Sequence, residues 1–165
     1  MKVCLCIMIF GLLLCGCSSQ TFETLGPVAH VAGTKAPVRE VVLQLPEDAA
    51  ILTASGMDSI YTCGDFDLCL QVLPSGDIPH TVRSISGFDP AHLTILESIS
   101  DTFCRYDWSW TAAGENADVI CRAAVLDDGA YHYTLCVRAD ATLAGDLAGQ
   151  WNALFGSFGL ASTAQ

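Results

Sequence analysis

The side chains with the most chemistry in this chain are its cysteines, nine among 165 residues. A thiol can be alkylated, oxidised to a disulfide, activated as a nucleophile or used as a metal ligand, and its neighbours and spacing decide which. Cys17 stands apart from the rest. It follows Leu14-Cys15-Gly16 and precedes Ser18-Ser19-Gln20, at the end of a segment with a basic start at Lys2 and an apolar run over residues 3–14. That layout is a secretory signal peptide, cut after a small residue. The run is too short to span a bilayer, which takes roughly 20 apolar residues. Five cysteines follow the cut, Cys63, Cys69, Cys104, Cys121 and Cys136, in a compartment that permits disulfides. Their odd number leaves at least one unpaired. No close C-x-x-C pair occurs and the four histidines, His30, His80, His92 and His132, are scattered, so no metal site and no cofactor is expected.

Cys121 and Cys136 flank Asp127-Asp128-Gly129-Ala130. With Asp128-Gly129 as a two-residue type I′ turn, the numbers of opposed residues sum to 257 and the two cysteines face each other across a hairpin. Counting out from the turn makes this a hydrogen-bonded pair, with α-carbons about 5.5 Å apart, a separation that a disulfide tolerates. Two readings stand: a cross-strand disulfide, or two small apolar thiols packed side by side. Cys63 and Cys69 pair less well, because a turn at Gly64-Asp65 sets Cys63 opposite Phe66.

Other chemistry is sparse. Ser157 in Gly156-Ser157-Phe158-Gly159 lacks the spacing and the strand-to-helix context of a nucleophile elbow. Asp127-Asp128-Gly129 is explained by the turn and lacks the further oxygen ligands of a calcium loop. Acid pairs such as Glu115 with Asp118, or Asp65 with Asp67, read as solvated surface. Strand alternation sends His132 to the face opposite Tyr131 and Tyr133, together with Thr134, Cys136 and Arg138. If that face is open, His132, Thr134 and Arg138 form the best candidate binding surface; the alternative is cover by the first half of the chain.

The elements that must position these residues are mostly strands. Residues 38–45 read as a strand stopped by Pro46, followed by a turn-rich stretch. Residues 59–62 and 66–73 make a hairpin across Gly64-Asp65. Over residues 78–86, Ile78, His80 and Val82 alternate as in a strand while Val82 and Ile85 keep a helical spacing. Gly87 as a C-terminal position favours one or two turns of helix, and residues 93–97 resume strand character. Over residues 102–111, Cys104, Tyr106, Trp108 and Trp110 alternate with Arg105, Asp107 and Ser109, the pattern of a half-buried strand. Turns at 114–116 and 128–129 continue it into residues 118–126 and 130–138, a three-stranded meander. Leu143, Leu147, Trp151 and Leu154, with Asp140 as cap, form the apolar stripe of a terminal helix. The meander face carrying Ile120, Ala124, Leu126, Tyr131, Tyr133, Leu135 and Val137 is the surface that stripe buries. The fold class is α+β, an antiparallel β-meander packed against helices.

Leu14, Gly16 and Cys17, at positions −3, −1 and +1 of the cut, resemble the lipobox of bacterial lipoproteins. The resemblance implies a diacylglyceryl group on the Cys17 thiol, whose two acyl chains suffice for stable anchoring. Ser18 in place of Asp after the cysteine resembles the signal for passage to the outer membrane in a two-membrane bacterium. The expected organisation is a signal peptide over 1–16, a lipidated N-terminus and flexible tether over 17–36, and a single globular domain over 37–165. Removal of residues 1–16 leaves 6 basic and 18 acidic side chains, a formal charge of −12. Such a surface excludes nucleic acid, which needs a basic footprint, and suits a soluble domain held away from anionic lipid. The strand 130–135 and the helix end around Trp151, Leu154-Phe155 and Ser157-Phe158 are similar to the PsbP and Mog1-like α/β/α sandwich group. That resemblance implies a fold and a non-catalytic role, and carries over no site residue. The expected protein is a membrane-anchored extracytoplasmic binding or envelope-assembly factor, at the cell membrane or outer membrane, whose partner is an envelope protein or small ligand. The alternative is an extracytoplasmic enzyme or thiol-redox protein using a domain cysteine, which needs an exposed, activated thiolate.

Overall fold

The computed structural model describes residues 22–25, 36–56 and 58–162; the signal segment and Cys17 lie outside the described residues. Among the described residues five strands and a helix come first: β1 (Phe22–Leu25), β2 (Val41–Gln44), β3 (Ala50–Ser55), β4 (Asp58–Cys63), β5 (Phe66–Pro74) and α1 (Ile78–Ser86). After a 3-10 turn at Pro90–His92 come β6 (Leu96–Ile99), β7 (Cys104–Ala113), β8 (Asp118–Asp127) and β9 (Tyr131–Asp140). A 3-10 turn at Ala141–Leu143 then leads into α2 (Ala144–Ser157) and β10 (Gly159–Leu160). The main sheet has seven strands in the order β3-β4-β5-β9-β8-β7-β6, and its neighbours pair antiparallel. A smaller sheet, β1-β2-β10, lies beside it.

Helices cover the main sheet from both sides. On one face Leu147, Trp151, Leu154 and Phe155 of α2 pack on Ala124, Leu126, Tyr133, Leu135 and Val137 in the larger core. Asp140 accepts the Thr142 N–H at 2.8 Å and so starts the turn that leads into α2, the capping that this side chain type supplies. On the other face Val82 of α1, fully buried, packs with Trp108, Trp110, Ala123 and Val125. α1 ends where expected: Gly87 takes the left-handed conformation, φ 76°, and its N–H bonds to the Arg83 carbonyl at 2.8 Å, a glycine C-cap.

The β4–β5 hairpin turns at Gly64, φ 63°, with Cys63 opposite Phe66 as the spacing predicts. The meander strands also form, with one correction to their register. Opposed residues of β8 and β9 sum to 259, not 257: Cys121 faces Arg138, and Cys136 faces Ala123. The cause is the Asp128 carboxylate, which accepts the N–H groups of Ala130 at 2.9 Å and Tyr131 at 2.8 Å. It draws Asp128 into line with Tyr131, whose carbonyl accepts the Asp128 N–H. The turn centre moves to Gly129-Ala130, with positive φ at Gly129 alone, 86°, the type II′ pattern. A shift of two keeps each side chain on its face, so the expected partition of apolar residues survives.

Three further differences concern short elements. β3 forms within the stretch read as turns, because the Gly56 turn folds it back on β4 although its side chains are exposed. β6 begins at Leu96, three residues later than the sequence pattern predicts, after a 3-10 turn at Pro90–His92. Within the expected tether, the backbone of β1 pairs with β2, whose other side takes β10.

Candidate functional site

The face predicted from His132, Thr134 and Arg138 is divided by α1. His132 and Thr134 lie buried beneath the helix, whereas Arg138, six residues further along β9, is exposed. His132 Nδ1 and Thr81 Oγ1 share a hydrogen bond of 2.9 Å that ties α1 to the sheet. The Gly76 N–H approaches Nε2 at 3.5 Å, and an Asp127 carboxylate oxygen stands 3.6 Å from it. Burial pulls the His132 pKa below 6.5, against the upward influence of Asp127, so the ring is neutral in the fold at pH 7. It positions α1 and offers no surface to a ligand.

The cysteines are arranged otherwise than a Cys121–Cys136 bridge requires. Cys136 sits directly opposite Cys69 on β5, and Cys121 is its diagonal neighbour across β8. Diagonal neighbours are separated by about 7 to 8 Å, beyond the usual reach of a disulfide. Cys63, Cys69, Cys104, Cys121 and Cys136 carry free thiols. Burial raises Cys136 to about 12, helped by Cys121 and Cys69, and Cys63 to about 11, helped by Asp48 and Asp67. Burial also raises Cys69 and Cys121. Raised thiols are poor nucleophiles at neutral pH. Ser157 holds two elements together. Its hydroxyl donates to the Leu154 carbonyl at 2.8 Å and accepts the Gln44 N–H at 2.9 Å, joining α2 to β2.

A groove of about 770 Å³ lies beside β7. Its upper wall is made by Trp108 and Trp110, nearly parallel with ring centroids 6.2 Å apart, together with Phe88, His92 and Leu93 from the connection after α1. Its lower wall is made by Asp107, Ser109 and Arg122 with Asn152 of α2. These walls come from opposite faces of the sheet, since alternate residues of a strand point opposite ways; the groove therefore wraps an edge. Trp108 is 3% exposed, and its indole N–H, like that of Trp151 in the larger core, is buried without a partner among the described residues.

The lower wall is electrostatically built. Arg105 clasps Asp107 with two hydrogen bonds, 2.6 and 2.9 Å, and donates to the carbonyls of Phe155 at 2.9 Å and Phe158 at 3.1 Å. A cation bound to the last carbonyls of α2 also suits the negative end of the helix dipole. Arg122 lies over the Phe155 ring, 4.2 Å from its centroid, donates to Asn152 at 2.9 Å, and stands 3.9 Å from Asp107. The alternation over residues 102–111 places the tryptophans and the Arg105-Asp107 pair on opposite faces, as found. The groove itself was missed, although a sequence signal existed: the strand before Ser100-Asp101 is much shorter than the one after it, so part of β7 must lack a neighbour.

No family model matches the chain, and no curated protein matches it. Solved structures do match it in shape. Cyanobacterial PsbP from Synechocystis aligns with a TM-score of 0.58 at 12% identity, covering 73% of this chain and 86% of that one. LpqN, involved in cell envelope biogenesis of Mycobacterium tuberculosis, aligns with a TM-score of 0.50 at 14% identity, covering 86% and 92%. The Ran-binding protein Mog1p of Saccharomyces cerevisiae aligns with a TM-score of 0.51 at 7% identity, covering 85% and 96%. At such identities the likeness is one of architecture: the chain has the PsbP/Mog1-like α+β fold, an antiparallel sheet between two helices.

Proposed function

We propose that this chain is a non-catalytic, extracytoplasmic binding domain, tethered to the cell membrane or outer membrane by a diacylglyceryl group on Cys17, and that it engages an envelope component through the groove beside β7. The groove carries the reading, because it combines stacked tryptophans and a charged wall at one open edge. Two of the structural neighbours support it by their described roles, one Ran-binding and one in cell envelope biogenesis. The thiol-redox alternative is opposed by burial, which raises Cys63, Cys69, Cys121 and Cys136. Among the described residues no helix is long and apolar enough to cross a membrane. Cell fractionation of Cys17→Ala tests the anchor. The variant is expected to leave the membrane fraction with its thermal melt unchanged, while the wild type carries the mass of a diacylglyceryl group. A Cys17→Ala protein found wholly with membranes as the mature form would overturn the anchor.

A further inference from the structure

Strand β7 exposes more hydrogen-bonding edge than its outer neighbour covers. β6 pairs with it only from Leu96↔Asp107 to Ile99↔Cys104, whereas β8 pairs with its whole length. At the hairpin end the Gly114 N–H bonds to the Ala117 carbonyl. Hydrogen bonding alternates along an antiparallel ladder, so Trp108, Trp110 and Ala112 bond toward β8, while Ser109, Thr111 and Ala113 turn their N–H and C=O groups outward. The bond from the Ser100 N–H to the Phe103 carbonyl on the opposite side agrees with this alternation. Beyond Asp107 no strand among the described residues lies on that side.

Natural sheets blunt such edges with proline, lysine or a bulge. The other edge strand, β3, has a register irregularity between Ile51 and Thr53. Residues 108–113 have none of these devices: their sequence is Trp-Ser-Trp-Thr-Ala-Ala and their register with β8 is continuous. Six residues of strand span about 20 Å, and the groove runs beside this same stretch, with tryptophans on one side and Arg122 on the other.

We propose that this edge accepts an extended segment of a partner protein as an additional antiparallel strand, with apolar side chains toward Trp108 and Trp110 alternating with acidic side chains toward Arg122. The inference rests on the groove being the binding surface and supplies its mode and ligand chemistry. Main-chain hydrogen bonds to Ser109, Thr111 and Ala113 would give affinity, and the alternating side chains specificity. Charge complementarity selects acid. Arg105 and Arg122 are two of the six basic side chains that follow residue 16, and both flank the one carboxylate of the lower wall, Asp107. Arg105 already holds that carboxylate, whereas Arg122, with its side chain 28% exposed, donates to Asn152 and stands 3.9 Å from Asp107. A guanidinium has five N–H donors, which leaves Arg122 capacity for a further carboxylate. A second copy of this chain is a poorer occupant, because the side chains that its own open edge would set beside Arg122 are Ser109, Thr111 and Ala113, not acids.

The test titrates the full chain, in detergent, with a capped seven-residue peptide alternating valine and glutamate. Its valine–lysine counterpart and a version N-methylated on the amides that face the edge serve as comparisons. Residue-resolved amide exchange should show new protection at Ser109, Thr111 and Ala113, and both comparison peptides should bind at least tenfold more weakly. Thr111→Pro removes one outward N–H from an edge, where proline is tolerated; it should keep the melting temperature within a few degrees and weaken binding at least tenfold. Full binding by the N-methylated peptide, or no protection at millimolar valine–glutamate peptide, would overturn strand addition. Loss of binding in Trp110→Ala with the N-methylated peptide still bound would overturn it while leaving the groove as the binding surface.

Discussion

The two faces of the main sheet are built for different purposes. Beneath α2 the face is closed: Leu135 and Val137 of β9 are fully buried, and Trp151 meets Phe66 edge to face with centroids 6.0 Å apart. Beneath α1 cover extends over His132, Thr134 and the tryptophans but stops before Arg138 and leaves Cys69 and Cys136 half-buried. The difference follows from helix length, 14 residues against 9, since each helical residue advances only about 1.5 Å. The α2 face supplies the larger core and the α1 face a smaller one, while the outer half of β7 stays an open edge.

The contrast is most sharply tested by truncation on each face. Trp151→Ala should destabilise the protein by about 3 to 5 kcal/mol, the usual range for deleting a buried aromatic, seen as a lower denaturation midpoint. Val82→Ala removes two carbons beneath α1 and should cost about 1.6 kcal/mol by transfer alone, at about 0.8 kcal/mol per carbon. Equal losses at the two sites would show that the α1 face is packed as firmly as the α2 face.

Acid should act through the α1 face. Because burial lowers the His132 pKa, the unfolded chain binds a proton that the fold refuses. The contribution of this histidine is complete above the unfolded value of about 6.5 and declines as pH falls below it, toward the lower folded pKa. Urea midpoints measured from pH 7 down to pH 5 should fall, and His132→Gln should flatten that slope even if it lowers stability at pH 7. Asp89 and Asp140 do not confuse this window, since backbone and side-chain hydrogen bonds hold both below 3.8. An unchanged slope in His132→Gln would show that this histidine is not the source of the acid sensitivity.

The smallest effect concerns thiols. In unreduced native protein at pH 7.5, Cys136 and Cys63 should react with a maleimide much more slowly than after unfolding, because burial raises both. One domain cysteine reacting faster in the fold than when unfolded would revive thiol chemistry. A mass 2 Da below that of the free thiols, mapping to Cys69 and Cys136, would mark oxidation across the β5–β9 ladder.

Much of this architecture was legible because it is local. Alternation of Trp108 and Trp110 with Arg105 and Asp107 assigned both faces of β7, and the spacing of Leu147, Trp151 and Leu154 assigned the buried stripe of α2, whereas Leu143 falls in the preceding 3-10 turn. β3 was not legible, since each of its residues is exposed and an unburied strand leaves no alternation to read. The register of the β8–β9 hairpin escaped by two residues, because an Asp128 carboxylate bonding to two N–H groups looks, as sequence, like an ordinary Asp-Gly turn.

The order of residues by itself determined which side chains of the meander share a face, where the β4–β5 hairpin turns and that an amphipathic helix follows the last meander strand, because strand and helix periods are properties of neighbours in sequence. Tertiary structure alone decided that β5 pairs with β9, that α1 seals His132 from solvent, that Cys136 meets Cys69, and that half of β7 is left as an open edge. Those outcomes depend on which distant surfaces bury each other. That choice is made by packing across the whole molecule, and local periodicity carries no record of it.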